Sequence, residues 1–143
     1  MLAVNEVVVL PKLSVSVVNV VVETVKLPDK NIFIVQEGEL FAGTKQRVAV
    51  DFAKRQITPD TTTLLYTGSY NGAGAIATAY AANVLKLKCK VFLSEMGTGF
   101  STWTPRKEII ASRQIKSLQM LNADIYLCYD YRSARDLTYD YYD

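Results

Sequence analysis

Gly43-Thr44-Lys45-Gln46-Arg47 is where this sequence concentrates its chemistry. The stretch follows a strand-like run, Asn31-Ile32-Phe33-Ile34-Val35, and opens a helix-like one, Val48-Ala49-Val50-Asp51-Phe52-Ala53. A lysine in the first turn of a helix sits beside backbone N–H groups without partners and at the positive end of the helix dipole. Both disfavour a further positive charge, and Arg47 adds to the effect. An amine so placed gives up its proton more readily, as condensation with a carbonyl requires. The plainer reading is an exposed lysine after a tight turn, and the local pattern alone prefers it.

A second candidate is the glycine-rich loop Gly68-Ser69-Tyr70-Asn71-Gly72-Ala73-Gly74, between a strand and a helix. Free N–H groups at such a helix start suit a carboxylate or a phosphate. A turn needed only for chain reversal explains the glycines equally well. The same place carries a rival motif. Gly72-Ala73-Gly74-Ala75-Ile76-Ala77 satisfies G-x-G-x-x-A, and Glu95 lies 18 positions beyond Ala77, where a dinucleotide fold places an acidic residue for the ribose. Against it, Gly68 to Asn71 separate the strand from the first motif glycine, and a dinucleotide site leaves Lys45 and its neighbours unexplained. Dinucleotide binding therefore ranks third among the functional readings.

The elements that must position these residues alternate. Residues 13–22 are dense in valine and read as strand, and 31–36 as a second strand after the turn at Pro28-Asp29. Residues 45–56 read as a helix with Val48, Phe52 and Gln56 four apart, ended by Thr58-Pro59-Asp60. Leu64–Thr67 is a short buried strand. The helix after the glycine loop has Ile76, Tyr80 and Val84 on one stripe, with Ala77, Ala81 and Leu85 beside it. Cys89–Leu93 is the next strand, and 96–103 a loop. Thr104-Pro105 starts a helix running to about Leu121, with Asn122 as its C-terminal cap. Ile125–Tyr129 is the last strand, and Ser133 is placed to cap a final helix through Tyr142. No repeat or linker divides the chain. This alternation predicts an α/β fold with a parallel sheet and right-handed crossovers.

Composition narrows the classes. A chain of 143 residues makes one domain burying about two thirds of its unfolded surface. Half its residues are hydrophobic, which excludes disorder. A net charge of +2, from 16 basic and 14 acidic side chains, is too balanced for nucleic-acid binding. No apolar run reaches the roughly 18 residues of a membrane span, and Met1–Glu6 lack the basic end of a signal peptide. Cys89 and Cys128, each in a strand-like run, read as buried free thiols in a reducing compartment, so a cytoplasmic location is expected. With no histidine, neither a metal site nor a complete Ser-His-Asp or Cys-His site is expected. Six of the nine tyrosines lie in 126–142. They read as a strand and a partly exposed amphipathic helix rather than as a binding surface.

Val35-Gln36-Glu37-Gly38-Glu39-Leu40-Phe41-Ala42-Gly43-Thr44-Lys45-Gln46-Arg47 resembles the "REDL…GGTK/NKxR" segment of fold-type II pyridoxal-phosphate enzymes. These include aminocyclopropane-carboxylate deaminase, D-cysteine desulfhydrase, serine/threonine dehydratases and the tryptophan synthase β chain. The Gly-Thr-Lys-Gln-Arg form is most similar to deaminase/desulfhydrase-like proteins of phages and large viruses. The likeness runs from about Leu10 to the C-terminus. It departs from the family at Gln36 (often Arg), Gly38 (usually Asp) and Ala42 (usually Gly).

The resemblance implies that Lys45 carries pyridoxal phosphate covalently and acts as the base on the substrate α-carbon. It implies that Ser69, Tyr70, Asn71, Gly72, Ala73 and Gly74 hold the substrate carboxylate, with Asn71, Gly72 and Ala73 also against the cofactor. Asn71 falls on the family's Gln, Gly72 on its Ser and Ala73 on its Asn, so two family side chains are absent, including a proton-transfer serine. The implied fold is a mainly parallel three-layer sheet, the N-terminal half of such an enzyme, in a single unit. Residues 1–60 resemble the edge of the large domain and 61–143 the small βαβαβ domain. The family's phosphate loop falls in the other half. The expected function is thus a lyase or deaminase acting on a small amino acid, inactive alone. A homo-oligomer or a larger assembly is expected, with 13–22 or 126–142 at the contact. The alternative is a non-enzymatic structural or interaction protein that kept the fold, which the Gly72-Ala73 replacements favour.

Overall fold

Short apolar runs around Leu65, Val91 and Ile125 are of the kind that a parallel sheet buries on both faces. The computed structural model, which describes residues 7–10, 22–35, 42–70, 72–94 and 105–142, assembles them into one sheet. In chain order the elements are β1 (Val7–Leu10), β2 (Val22–Lys26), β3 (Asn31–Val35), α1 (Thr44–Gln56), β4 (Thr63–Ser69), α2 (Gly74–Val84), β5 (Lys88–Ser94), α3 (Pro105–Met120), β6 (Asp124–Cys128) and α4 (Tyr131–Tyr142). The main sheet has the order β1-β6-β5-β4, with β4, β5 and β6 parallel and β1 antiparallel to β6. β2 and β3 form a separate antiparallel ribbon.

Alternation along the strands sends side chains to two cores. Leu64, Tyr66, Cys89, Val91, Leu93, Ile125 and Leu127 meet α2 and α3, chiefly Ile76, Ala79, Tyr80, Leu118 and Leu121. Leu65, Phe92, Tyr126 and Cys128 meet Ala134 and Leu137 of α4 on the other face. Helices therefore cover both faces, as the parallel strands require. α2 and α3 share one face because strands added in one direction by crossovers of constant hand must place their helices on the same side.

Several elements differ from expectation for physical reasons. β1 was not foreseen, although Val7-Val8-Val9-Leu10 is β-branched and apolar. β4 extends through Gly68 and Ser69, so the glycine loop shrinks to Tyr70–Ala73, and Gly74 is the first residue of α2. The Val48–Phe52 stripe of α1 does not face the core: Val48 is 61% and Phe52 65% exposed. The inner face of α1 is instead Gln46, Ala49, Val50 and Ala53, spaced three and four apart. Small alanines on both α1 and α2 let the two helices approach closely, which larger residues at 49 and 53 would prevent. The final helix begins at Tyr131, two residues before the expected cap: Asp130 rather than Ser133 closes it, the Ser133 N–H donating to Asp130 Oδ1 at 2.7 Å. The strand expected over 13–22 and the loop over 96–103 fall outside the described residues, apart from Val22 at the start of β2.

Both crossover helices end in left-handed caps, at Lys86 (φ 57°) and, as expected, Asn122 (φ 59°). Leu87 N–H donates to Ala82 O at 2.8 Å and Ala123 N–H to Leu118 O at 3.1 Å, the long bonds of a Schellman turn. Asn83 Nδ2 donates to Ala79 O and, across the gap, to Leu121 O at 2.5 Å, tying the two helix ends together.

The start of α2 is set by Tyr66. Its ring lies along β4 over Gly68 and reaches Gly74. A Cβ at Gly68 would stand 2.7 Å from the phenol, and one at Gly74 closer still. These two glycines are therefore explained by packing. Gly74→Ala should destabilise the protein by about 1–3 kcal/mol through overpacking. In a Tyr66→Leu background the same change should cost nothing or slightly stabilise α2, since alanine favours helix over glycine. Denaturant unfolding of the double-mutant cycle measures the coupling, and additive effects would show that Tyr66 is not the obstacle.

Candidate functional site

The connection from α1 to β4, residues 57–62, is short, and β4 begins at the edge where Lys88 N–H bonds Thr62 O at 3.0 Å. α1 must therefore descend toward that edge, antiparallel to β4, as α2 does after it. The starts of α1, α2 and α4 consequently lie at the opposite edge, past the C-terminal ends of the parallel strands. Open α/β sheets bind ligands at that edge. The structure thus brings Lys45 and the Tyr70–Gly74 loop to one edge of the sheet. Ala42, Tyr70 and Ala73 also belong to one continuous apolar cluster there.

Lys45 occupies the first turn of α1 with its side chain exposed. Gly43 precedes the helix at φ 57° and ψ −141°, backbone that side-chain-bearing residues rarely adopt, and open space surrounds the position a Cβ would take. Ser69 ends β4. Asn71 lies outside the described residues. Gly72 and Ala73 precede α2. The N–H groups of Tyr70 and Gly72 are occupied, bonding Ser94 O at 3.1 Å and Ser69 O at 3.2 Å. The first turn of α2, from Gly74 onward, offers further backbone donors, since its N–H groups have no intrahelical acceptor.

Helix starts at this edge differ in one respect. α4 is closed by the Asp130 carboxylate, whereas α1 and α2 have no side-chain cap hydrogen bond and no acidic residue in the first turn. Both uncapped ends present partial positive charge toward the same edge.

Two side chains that sequence reading passed over belong here. Tyr66 places its phenol against the start of α2, and burial, then the nearby Tyr131 phenol, raises its pKa above the ordinary tyrosine value. It therefore remains a protonated donor. The detectable signal was a tyrosine two residues before a glycine in a short buried strand. Gln46 is fully buried in the first turn of α1. Its Oε1 accepts from the Ala42 N–H at 3.2 Å while Nε2 has no partner.

The dinucleotide motif does sit at a strand–turn–helix junction, and the extension of β4 brings its first glycine closer to the strand than expected. Gly74, however, is accounted for by the contact with Tyr66. Glu95 lies outside the described residues.

Lys90 is a different kind of lysine. Its Nζ donates to Asp124 Oδ2 and Tyr126 Oη, both at 3.3 Å, and stands 4.9 Å from the centre of the Tyr141 ring. Burial works to lower its pKa, but the hydrogen bonds it donates to Tyr126 and Asp124, with their charges, outweigh it, so the net shift is upward. The ammonium stays charged and anchors α4, with Phe92, Tyr126 and Tyr141 packed ring on ring. This accounts for part of the tyrosine-rich C-terminal segment as cover for the sheet. Cys89 and Cys128 are buried free thiols; burial, then Asp124, pushes Cys89 up to about 12, which makes it a poor nucleophile. Among the described residues, no cluster could hold a metal ion and no helix is long and apolar enough to cross a membrane. No protein-family model and no curated protein matches the chain.

The contrast between helix starts can be measured at Asp130. Hydrogen bonds from Ser133 hold its carboxyl below the usual carboxylate value. A group whose pKa is lowered by folding stabilises above its unfolded pKa, and this is lost as pH falls through the folded value. Asp130→Ala should cost about 1 kcal/mol at neutral pH. The gap from the parent should narrow as the solution is acidified through the carboxylate range. Unfolding curves at neutral and acid pH test this, and a gap unchanged by pH would show that the carboxylate is not the cap.

Proposed function

We propose that this chain forms part of a pyridoxal-phosphate-dependent lyase or deaminase acting on a small amino acid, with Lys45 as the lysine that bonds the cofactor covalently. The observation that carries the reading is the position of Lys45: exposed, on the uncapped first turn of α1, at the same sheet edge as the uncapped start of α2. The resemblance of the segment from Val35 to Arg47 supplies the chemistry. The open space beside Gly43 fits a bulky group close to the lysine. Gly72 and Ala73 fit less well, since they offer no side-chain donor to a cofactor ring.

When bound, pyridoxal phosphate supplies an electron sink for charge developing at the substrate α-carbon. The remaining work falls to this chain's residues. The Lys45 amine, once released, takes the α-proton. The backbone N–H groups opening α2 hold the substrate carboxylate against the positive end of the helix. The protonated Tyr66 phenol lies beside those donors. With no side chain at 72 or 73 to shuttle a proton, Lys45 must both remove and return it, which favours elimination of a good leaving group over harder deaminations.

The test is chemical. With added cofactor, the protein should absorb near the edge of the visible range, and borohydride should fix the label on Lys45. Peptide mapping should find the label there and not in Lys45→Ala. Label spread evenly over the lysines, or unchanged in Lys45→Ala, would overturn the reading.

A second reading, an interaction protein that joins a homo-oligomer or larger assembly, is favoured by the β2–β3 ribbon. Val22, Val25, Ile32, Ile34 and Phe33, the last 67% exposed, all stand in solvent on it. Sedimentation should then show association at micromolar concentration that Phe33→Lys weakens. A stable monomer that binds no hydrophobic dye would exclude it.

A further inference from the structure

We infer that the start of α1 is a binding site for a phosphate-type oxyanion, with the Gln46 side-chain amide as its buried donor. The inference stands apart from the cofactor reading, since it needs no carbonyl chemistry at Lys45.

Gln46 is wholly buried, yet its Nε2 has no hydrogen-bond partner. Native proteins rarely leave such a donor unpaired, because it loses its water and gains nothing in return. Exchanging the amide oxygen and nitrogen does not repair this. The Ala42 N–H donates to Oε1 at 3.2 Å, and a nitrogen in that place would set donor against donor. The same bond shows where the amide lies. Ala42 precedes the helix, so the side chain of Gln46 folds back over the helix start instead of projecting from its flank.

The surroundings ask for negative charge. α1 runs for 13 residues, Gly43 in the cap position has no side chain to offer, and the first turn has no acidic residue. The Gln46 N–H is bonded to Gly43 O at 3.0 Å. Ahead of it, the Thr44 and Lys45 N–H groups open the helix, where no intrahelical acceptor exists. Two backbone donors and one buried amide donor thus gather at the positive end of a helix dipole, with Lys45 exposed on the same turn. Donors arriving from several directions suit a tetrahedral dianion better than a flat carboxylate. Nε2 itself is closed off from solvent. A bond to it then forms in a dry place, where it is stronger.

The experiment uses the full chain, labelled with nitrogen-15 and titrated with inorganic phosphate at constant ionic strength. The expected result is saturable movement of the Thr44 and Lys45 backbone signals together with the Gln46 side-chain NH2 signal. Acetate should bind more weakly; equal binding would overturn the phosphate assignment. Gln46→Met keeps the volume and removes the donor, and should weaken phosphate binding about tenfold, the loss of one charge-assisted hydrogen bond. Phosphate binding unchanged in Gln46→Met would overturn the proposal. So would a wild-type Gln46 NH2 signal that stays still while others move, a result that holds even if the variant fails to fold.

Discussion

Val91, Phe92 and Leu93 in β5 are closed off from water on both faces of the sheet, and the backbone between them goes with the side chains. Buried N–H and C=O groups must be paired, so β5 needs a strand on either side. β4 and β6 supply them in parallel, Tyr66 and Ile125 flanking Val91 in register. Parallel neighbours need crossovers, the crossovers become α2 and α3, and those helices bury the odd-numbered side chains of β5. Phe92, on the other face, calls for α4. Most of the remaining architecture follows from keeping this one strand dry.

The same arrangement decides where chemistry can occur. All parallel strands end at one edge, so the helices that follow them begin there, and α1 joins them because its short connection to β4 leaves no other direction. Helix starts are positive and donor-rich. Asp130 neutralises one of them from within the chain. Among the described residues, no carboxylate caps those of α1 and α2, and the orphaned Gln46 amide adds a further donor at the first. The opposite edge of the sheet is built for strength instead, with the ends of α2 and α3 joined through Asn83. Lys90 bonds Asp124 and Tyr126 on the face that α4 covers.

Side-chain size explains details that charge does not. Tyr66 lies flat along β4 because position 68 has no Cβ to lift it, and it reaches α2 because position 74 has none either. Ala49 and Ala53 bring α1 down onto the alanines of α2, which turns the larger Val48 and Phe52 outward. The exposed Phe52 then lines a cleft with Leu64, Leu65, Tyr66, Thr78 and Ala81. The aromatic end of the chain is similarly a packing device in part, with Tyr126 and Tyr141 closing over Phe92.

Local chemistry alone determined much of this. Pro105 at the start of α3, Asn122 in its left-handed cap, the parallel run from β4 to β6 and the helix opening at the lysine segment were all legible, because each depends on a few neighbouring residues. Contacts between distant segments decided the rest. β1 is a strand because β6 offers it an edge, and nothing near Val7–Leu10 announces that partner. The glycine loop shortened because β5 pairs with β4 as far as Ser69. Asp130 displaced Ser133 as a cap because α4 had to begin as soon as β6 ended. The inner face of α1 was hidden because a buried glutamine and two alanines carry little hydrophobic signal. Their burial depends on how closely a second helix can approach, and only the tertiary structure settles that distance.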